Sequence, residues 1–99
     1  SAESQKDMLN SLGEYAQEAK DSMTALNQVI EGTPELGKAY EIGPAYFLKL
    51  KNCNYDFDSL WKMNIEPLLR EYLRGYRNGK EIIENCKDAY DLKNKEGEQ

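Results

Sequence analysis

SQKDMLNSLGEYAQEAKDSMTALNQVIE, residues 4–31, decides the fold class. Within it Met8, Leu12, Tyr15, Ala19, Met23, Leu26 and Ile30 recur at steps of three and four, which places them on one face of a helix. Gln, Lys, Glu and Asp fill the opposite face. Wound as a single helix, the stretch is about 40 Å long at 1.5 Å per residue, more than a domain of this size is expected to span. The pattern therefore predicts an interruption, at Gly13 or at Asp21-Ser22, or an N-terminal end that projects beyond the bundle. Glycine costs a helix about 1 kcal/mol relative to alanine, so a break at Gly13 is cheap.

Gly32 stops the pattern. Thr33-Pro34-Glu35-Leu36 reads as an N-cap followed by proline at the first helical position, hence one short turn that Gly37 ends. Tyr40-Glu41-Ile42 reads as extended. Gly43-Pro44 opens a short helix from Ala45 to about Lys51, with Tyr46, Phe47 and Leu50 facing inward. Asp56 is a good N-cap for the helix that holds Leu60, Trp61 and Ile65. Pro67 falls inside that pattern and should kink it or begin a fresh helix. Leu68, Leu69, Tyr72, Leu73 and Tyr76 continue the apolar stripe, and Asn78-Gly79 signals a turn. The last helix runs from about Lys80 to Leu92, buried through Ile82, Ile83, Cys86, Ala89 and Tyr90. No segment alternates as a strand does, and there is no internal repeat. The expected fold is all-α: a compact bundle of about four to five helices with a long N-terminal helix, joined by short loops.

Ninety-nine residues make one domain with one modest core. Residues 3–92 read as that single helical domain, the charged stretch 93–99 as a flexible tail, and Ser1-Ala2 as a remnant of tag cleavage, which implies a piece of a longer protein. The net charge of -5, from 18 acidic and 13 basic residues, argues against direct binding of a phosphate backbone. The absence of histidine removes the commonest general base near neutral pH. Cys53 and Cys86 form no CxxC pair and read as thiols in a reducing compartment, with one disulfide in a secreted domain as the alternative. No apolar run is long enough for a signal peptide or a membrane span, so the expected location is the cytoplasm.

Three constellations invite a chemical reading. Asn52, Asn54, Asp56 and Asp58 alternate like the start of a calcium loop, but Phe57 stands where that loop needs glycine and Met63 where it needs a bidentate glutamate. Helix capping explains them better. Arg70, Arg74 and Arg77, at spacings of four and three, would share one side of a helix and suit an anionic partner surface. A solvated face is the simpler reading, helped by Glu66 four residues before Arg70. The tyrosines with Trp61 follow helical spacing and read as core rather than as a stacking platform. No GxSxG, Cys-His pair, HExxH or GxxxxGK[ST] is present, so the chain should be no enzyme by itself and no independent NTPase.

Leu26-Asn27-Gln28-Val29-Ile30, then Ile42-Gly43-Pro44-Ala45-Tyr46-Phe47, then Ile65-Glu66-Pro67-Leu68-Leu69-Arg70-Glu71-Tyr72 form an ordered set. Over residues 22–77 it resembles the C-terminal region of McrB-type AAA+ ATPases, the motor subunits of modification-dependent restriction systems and their relatives. In that family the second piece often reads IGHSYF and the third PLLxEY. The resemblance implies a helical lid belonging to a larger NTPase, which closes the nucleotide site and reports its state to a neighbouring ring subunit. It implies ATP or GTP with magnesium for the parent protein and none in this chain alone. It also implies an α/β core and adjacent ring subunits as partners, with no direct nucleic-acid or membrane contact by this domain. Carried over by position, Gly43 and Pro44 stand near the nucleotide, while Tyr46, Phe47, Leu68, Leu69 and Tyr72 form lid core. The arginine row Arg70, Arg74 and Arg77 is then a candidate subunit interface. Pro44 and Ala45 replace the family's frequent His and Ser, so closure here relies on packing and a rigid helix start. The alternative is a stand-alone helical protein-interaction domain.

Overall fold

The structure, a computed structural model, describes residues 2–93, with side chains from Gln5 onward. Among these residues it is all-α and has no strand. Helix α1 (Ala2–Asp7) runs into a 3-10 segment, Met8–Tyr15, and then into α2 (Ala16–Gly32). A 3-10 turn at Lys38–Tyr40 precedes α3 (Pro44–Phe47), which tightens into a 3-10 segment at Leu48–Asn52. Helix α4 (Phe57–Leu60) widens into a π-helical turn, Trp61–Ile65, and returns to α geometry in α5 (Glu66–Tyr72). Helix α6 (Gly79–Tyr90) closes the bundle and packs most extensively on α2.

The long N-terminal helix is interrupted at Gly13, whose φ of 62° and ψ of -125° are non-helical. Side chains rarely adopt that conformation, so glycine is the residue that permits the break. Asp21-Ser22, the other candidate, stays helical; Ser22 is buried and its hydroxyl donates to the Tyr90 carbonyl at 2.8 Å, tying α2 to the end of α6. The interruption has two consequences. The molecule measures 39 × 31 × 27 Å, so an unbroken helix over 4–31 would have spanned its longest axis. The tighter 3-10 winding also shifts the phase of the stripe: Leu9 is fully buried, whereas Met8, expected inside, is 48 % exposed.

Pro67 neither kinks the rod sharply nor starts a separate helix. Proline cannot donate to the carbonyl four residues back and its ring crowds that carbonyl. The preceding turn relaxes by widening, and the Glu66 amide bonds to the Trp61 carbonyl five residues back. Other boundaries also differ from expectation. Thr33–Leu36 is a turn closed by the Leu36 amide on the Thr33 carbonyl at 2.9 Å, not a helical start; the Thr33 hydroxyl instead caps α2 through the Val29 carbonyl. Tyr40 lies in the 3-10 turn, so only Glu41 onward is extended. The last helix ends at Tyr90, two residues short of Leu92, which has a left-handed φ of 61°. Of the stretch 93–99 only Lys93 is described; the tail expected over 94–99, like the remnant at Ser1, lies outside the described residues.

All of these elements feed one core, with Leu9, Leu26, Ile30, Phe47, Leu50, Leu60, Ile65, Leu69 and Cys86 fully buried. Tyr90 organises its lower end. Its ring lies 5.1 Å from Trp61 and 6.0 Å from Phe47, and its hydroxyl donates to the Phe57 carbonyl at 2.7 Å. Burial, with nearby Asp91 adding to it, pushes the Tyr90 phenol well above its ordinary pKa, so it stays a neutral donor. No described helix is long and apolar enough to cross a membrane.

Candidate functional site

Gly43 and Pro44 join the extended segment after the Lys38–Tyr40 turn to α3. Pro44 is buried at the helix start, where its missing N–H costs nothing. Gly43 is exposed, with φ of -86° and ψ of 176°, a backbone that any residue adopts. A Cβ added there would meet nothing within 4 Å. Neither conformation nor packing within the described residues requires glycine at this position.

The segment is held by a side chain that sequence reading did not single out. Asn27, on α2, donates through Nδ2 to the Ile42 carbonyl and accepts the Ile42 amide at Oδ1, both at 2.8 Å. Ile42 is 1 % exposed, so water is a poor substitute for either bond. The available signal was Asn27 itself: a weak helix former on the half-buried side of a well-formed helix, where a side-chain amide is costly unless it bonds. The clamp joins the first two pieces of the resemblance, Leu26–Ile30 and Ile42–Phe47.

Three tyrosines gather around the same segment. Tyr40 meets Tyr72 edge-on with ring centroids 4.8 Å apart. Desolvation raises the Tyr72 pKa, and the neighbouring Tyr46 and Tyr40 add to the shift. Lys49 sits over the Tyr46 ring at 5.9 Å. Of the expected lid-core residues, Phe47 and Leu69 are fully buried, whereas Tyr46, Leu68 and Tyr72 are half-buried and pack against the core.

The arginines do not form a row on one helix. Helix α5 ends at Tyr72, and Gly75, with φ of 89°, turns the chain before Arg77. Arg70 pairs with Glu66 at 3.2 Å and Arg74 with Glu71, all on exposed or half-buried side chains. Such pairs add little stability but do cancel charge. Arg77 is exposed and has no ion-pair partner among the described residues.

A shallow cleft lined by Asp58, Trp61, Lys62, Glu66 and Lys87 lies elsewhere. Burial opposes the charge on Lys87, but its contacts with Asp91 at 2.6 Å and with Asp58 prevail and raise its pKa. The cleft's central cation is thus already engaged by carboxylates. Asp56, from the calcium-like alternation, caps α4 by accepting the Asp58 amide at 3.1 Å. Cys53 and Cys86 are both free thiols, and burial pushes Cys86 up to about 11.

Residues 18–79 match the family model of the McrB alpha-helical lid domain. The chain belongs to the McrB lid family. Comparison with curated proteins and with solved structures finds no match. A McrB lid is a non-catalytic helical part of an AAA+ protein and associates with an AAA+ core. The matched span contains Asn27, Gly43, Pro44 and the three arginines, so the clamp sits inside the McrB lid proper. It omits the 3-10 segment and α6, which nonetheless supply Leu9, Leu12, Ile82, Ile83, Cys86 and Tyr90 to the core.

Proposed function

We propose that this domain closes over the nucleotide site of its AAA+ protein and relays nucleotide state to a neighbouring subunit. The match to the McrB lid over residues 18–79 carries this reading. Gly43 and Pro44 face the nucleotide: Gly43 is exposed with open space around it, and Pro44 is locked into the core behind it. The chain holds no phosphate-cradling loop, and among the described residues no three metal-binding side chains gather. In this reading ATP or GTP and its magnesium are held chiefly by the core, and the lid contributes backbone and packing. Arg77, the one member of the arginine set without an ion-pair partner among the described residues, faces the adjacent subunit; Arg70 and Arg74 support it from paired positions.

Charge reversal at Arg77 in the whole AAA+ protein tests the subunit contact. The substitution should leave the lid folded, because Arg77 is exposed, and should weaken nucleotide-dependent assembly in sedimentation. Unchanged assembly and hydrolysis would remove Arg77 from the interface.

A further inference from the structure

Asn27 bonds both the amide and the carbonyl of Ile42, so those two groups point the same way, toward α2. Two groups of one residue share a side only in an extended chain, and the neighbours' facing groups then point to the opposite side. The Glu41 carbonyl and the Gly43 amide therefore point away from α2. Both residues are exposed, and among the described residues neither group has a hydrogen-bond partner. Glu41 donates its own amide to the Lys38 carbonyl at 3.2 Å, and Gly43 offers its carbonyl to the Tyr46 amide at 3.2 Å, so the segment is fixed at both ends.

The result is a carbonyl acceptor and, two residues on, an amide donor on one side of a clamped extended chain. A purine presents the complement along its six-membered ring: adenine a 6-amino donor beside the N1 acceptor, guanine an O6 acceptor beside the N1–H donor. Gly43 has no side chain to keep a flat ring from the backbone, and the space a Cβ would take is open. Tyr40 and Tyr46 flank the segment and supply aromatic surface beside it.

We infer that the Glu41 carbonyl and Gly43 amide form a purine-edge recognition site, with Asn27 as the positioning residue that holds it. This rests on the lid reading above and adds to it the part of the nucleotide that the lid reads. The site is made of backbone on an extended segment, so side-chain replacements at position 41 leave it intact. It takes either purine, because each offers both a donor and an acceptor.

The test uses the whole AAA+ protein and three probes: its preferred purine nucleoside triphosphate, the triphosphate of purine riboside, which lacks substituents on the six-membered ring, and inorganic tripolyphosphate. Affinities are read by calorimetry. The unmodified protein should bind the substituted purine about three- to tenfold more tightly than the unsubstituted one, the worth of a net neutral hydrogen bond. Gly43→Pro removes only the donor, since φ of -86° lies close to proline's range. It should weaken binding of the substituted purine by a similar factor and leave tripolyphosphate unchanged. Gly43→Ala keeps the donor and should bind the substituted purine within twofold of the unmodified protein. Equal weakening of all three probes by Gly43→Pro, or equal affinity of the two purines in the unmodified protein, overturns the purine-edge assignment while the lid reading stands. Failure of the unmodified protein to bind any nucleotide overturns both.

Discussion

Replacing Asn27 by leucine tests whether the clamp holds the segment. Leucine matches the size of asparagine but bonds to nothing. The Ile42 amide and carbonyl, now paired at 2.8 Å each and in a residue 1 % exposed, lose both partners. An unsatisfied buried polar group costs about 1–3 kcal/mol. If the segment swings out to reach water instead, Ile42 leaves the core, at about 1.5–3 kcal/mol. Leucine's better helix propensity returns about 0.5 kcal/mol. The net loss is about 2 kcal/mol, or about 8–16 °C in Tm for a domain of this size. Urea and thermal unfolding of the 99-residue chain measure it. Asn27→Asp is the companion variant. Its carboxylate still accepts the Ile42 amide but sets a second oxygen against the Ile42 carbonyl. Protonation supplies the missing donor, so the folded state binds that proton more tightly than the unfolded chain does. The variant should therefore recover stability relative to the unmodified chain as pH falls toward about 4. A leucine variant within 0.5 kcal/mol of the unmodified chain would refute the clamp.

Two further predictions concern the bundle. Gly13→Ala should cost about 1–3 kcal/mol, because φ of 62° with ψ of -125° is closed to side chains even though a Cβ there has room; thermal unfolding reports it. The Cys86 thiol, pushed up from 9.0 to about 11 by burial, stays protonated in the folded state while the unfolded chain ionises. The unfolded state then holds fewer protons, so stability should fall as pH rises from about 9 through about 11. Cys86→Ser should flatten that part of the urea-measured stability profile.

The sequence made the helical content, the stop at Gly32, the cap at Asp56 and the buried face of α6 legible, because each depends on local periodicity or on one residue's conformational habit. The choice between Gly13 and Asp21-Ser22 was not legible. Both are plausible breaks locally, and the partner that keeps Ser22 helical is the Tyr90 carbonyl, 68 positions away. The π turn before Pro67 follows from a clash that admits several remedies, and the packing of Trp61 and Ile65 against the core selects this one. The arginine spacing misled because Gly75 ends the helical register that gave it meaning. At the candidate site, Gly43-Pro44 announced itself as a helix start. The Asn27 clamp did not, since a pairing across 15 positions leaves no periodic trace.

Amide hydrogen exchange over residues 40–46 of the whole AAA+ protein, with and without purine nucleoside triphosphate, tests the lid's closure over nucleotide most directly. Slower exchange at the outward Gly43 amide when nucleotide is bound is the predicted result, with Ile42 already protected in both states by Asn27. Exchange at Gly43 that is identical with and without saturating nucleotide would contradict closure of this surface over the nucleotide.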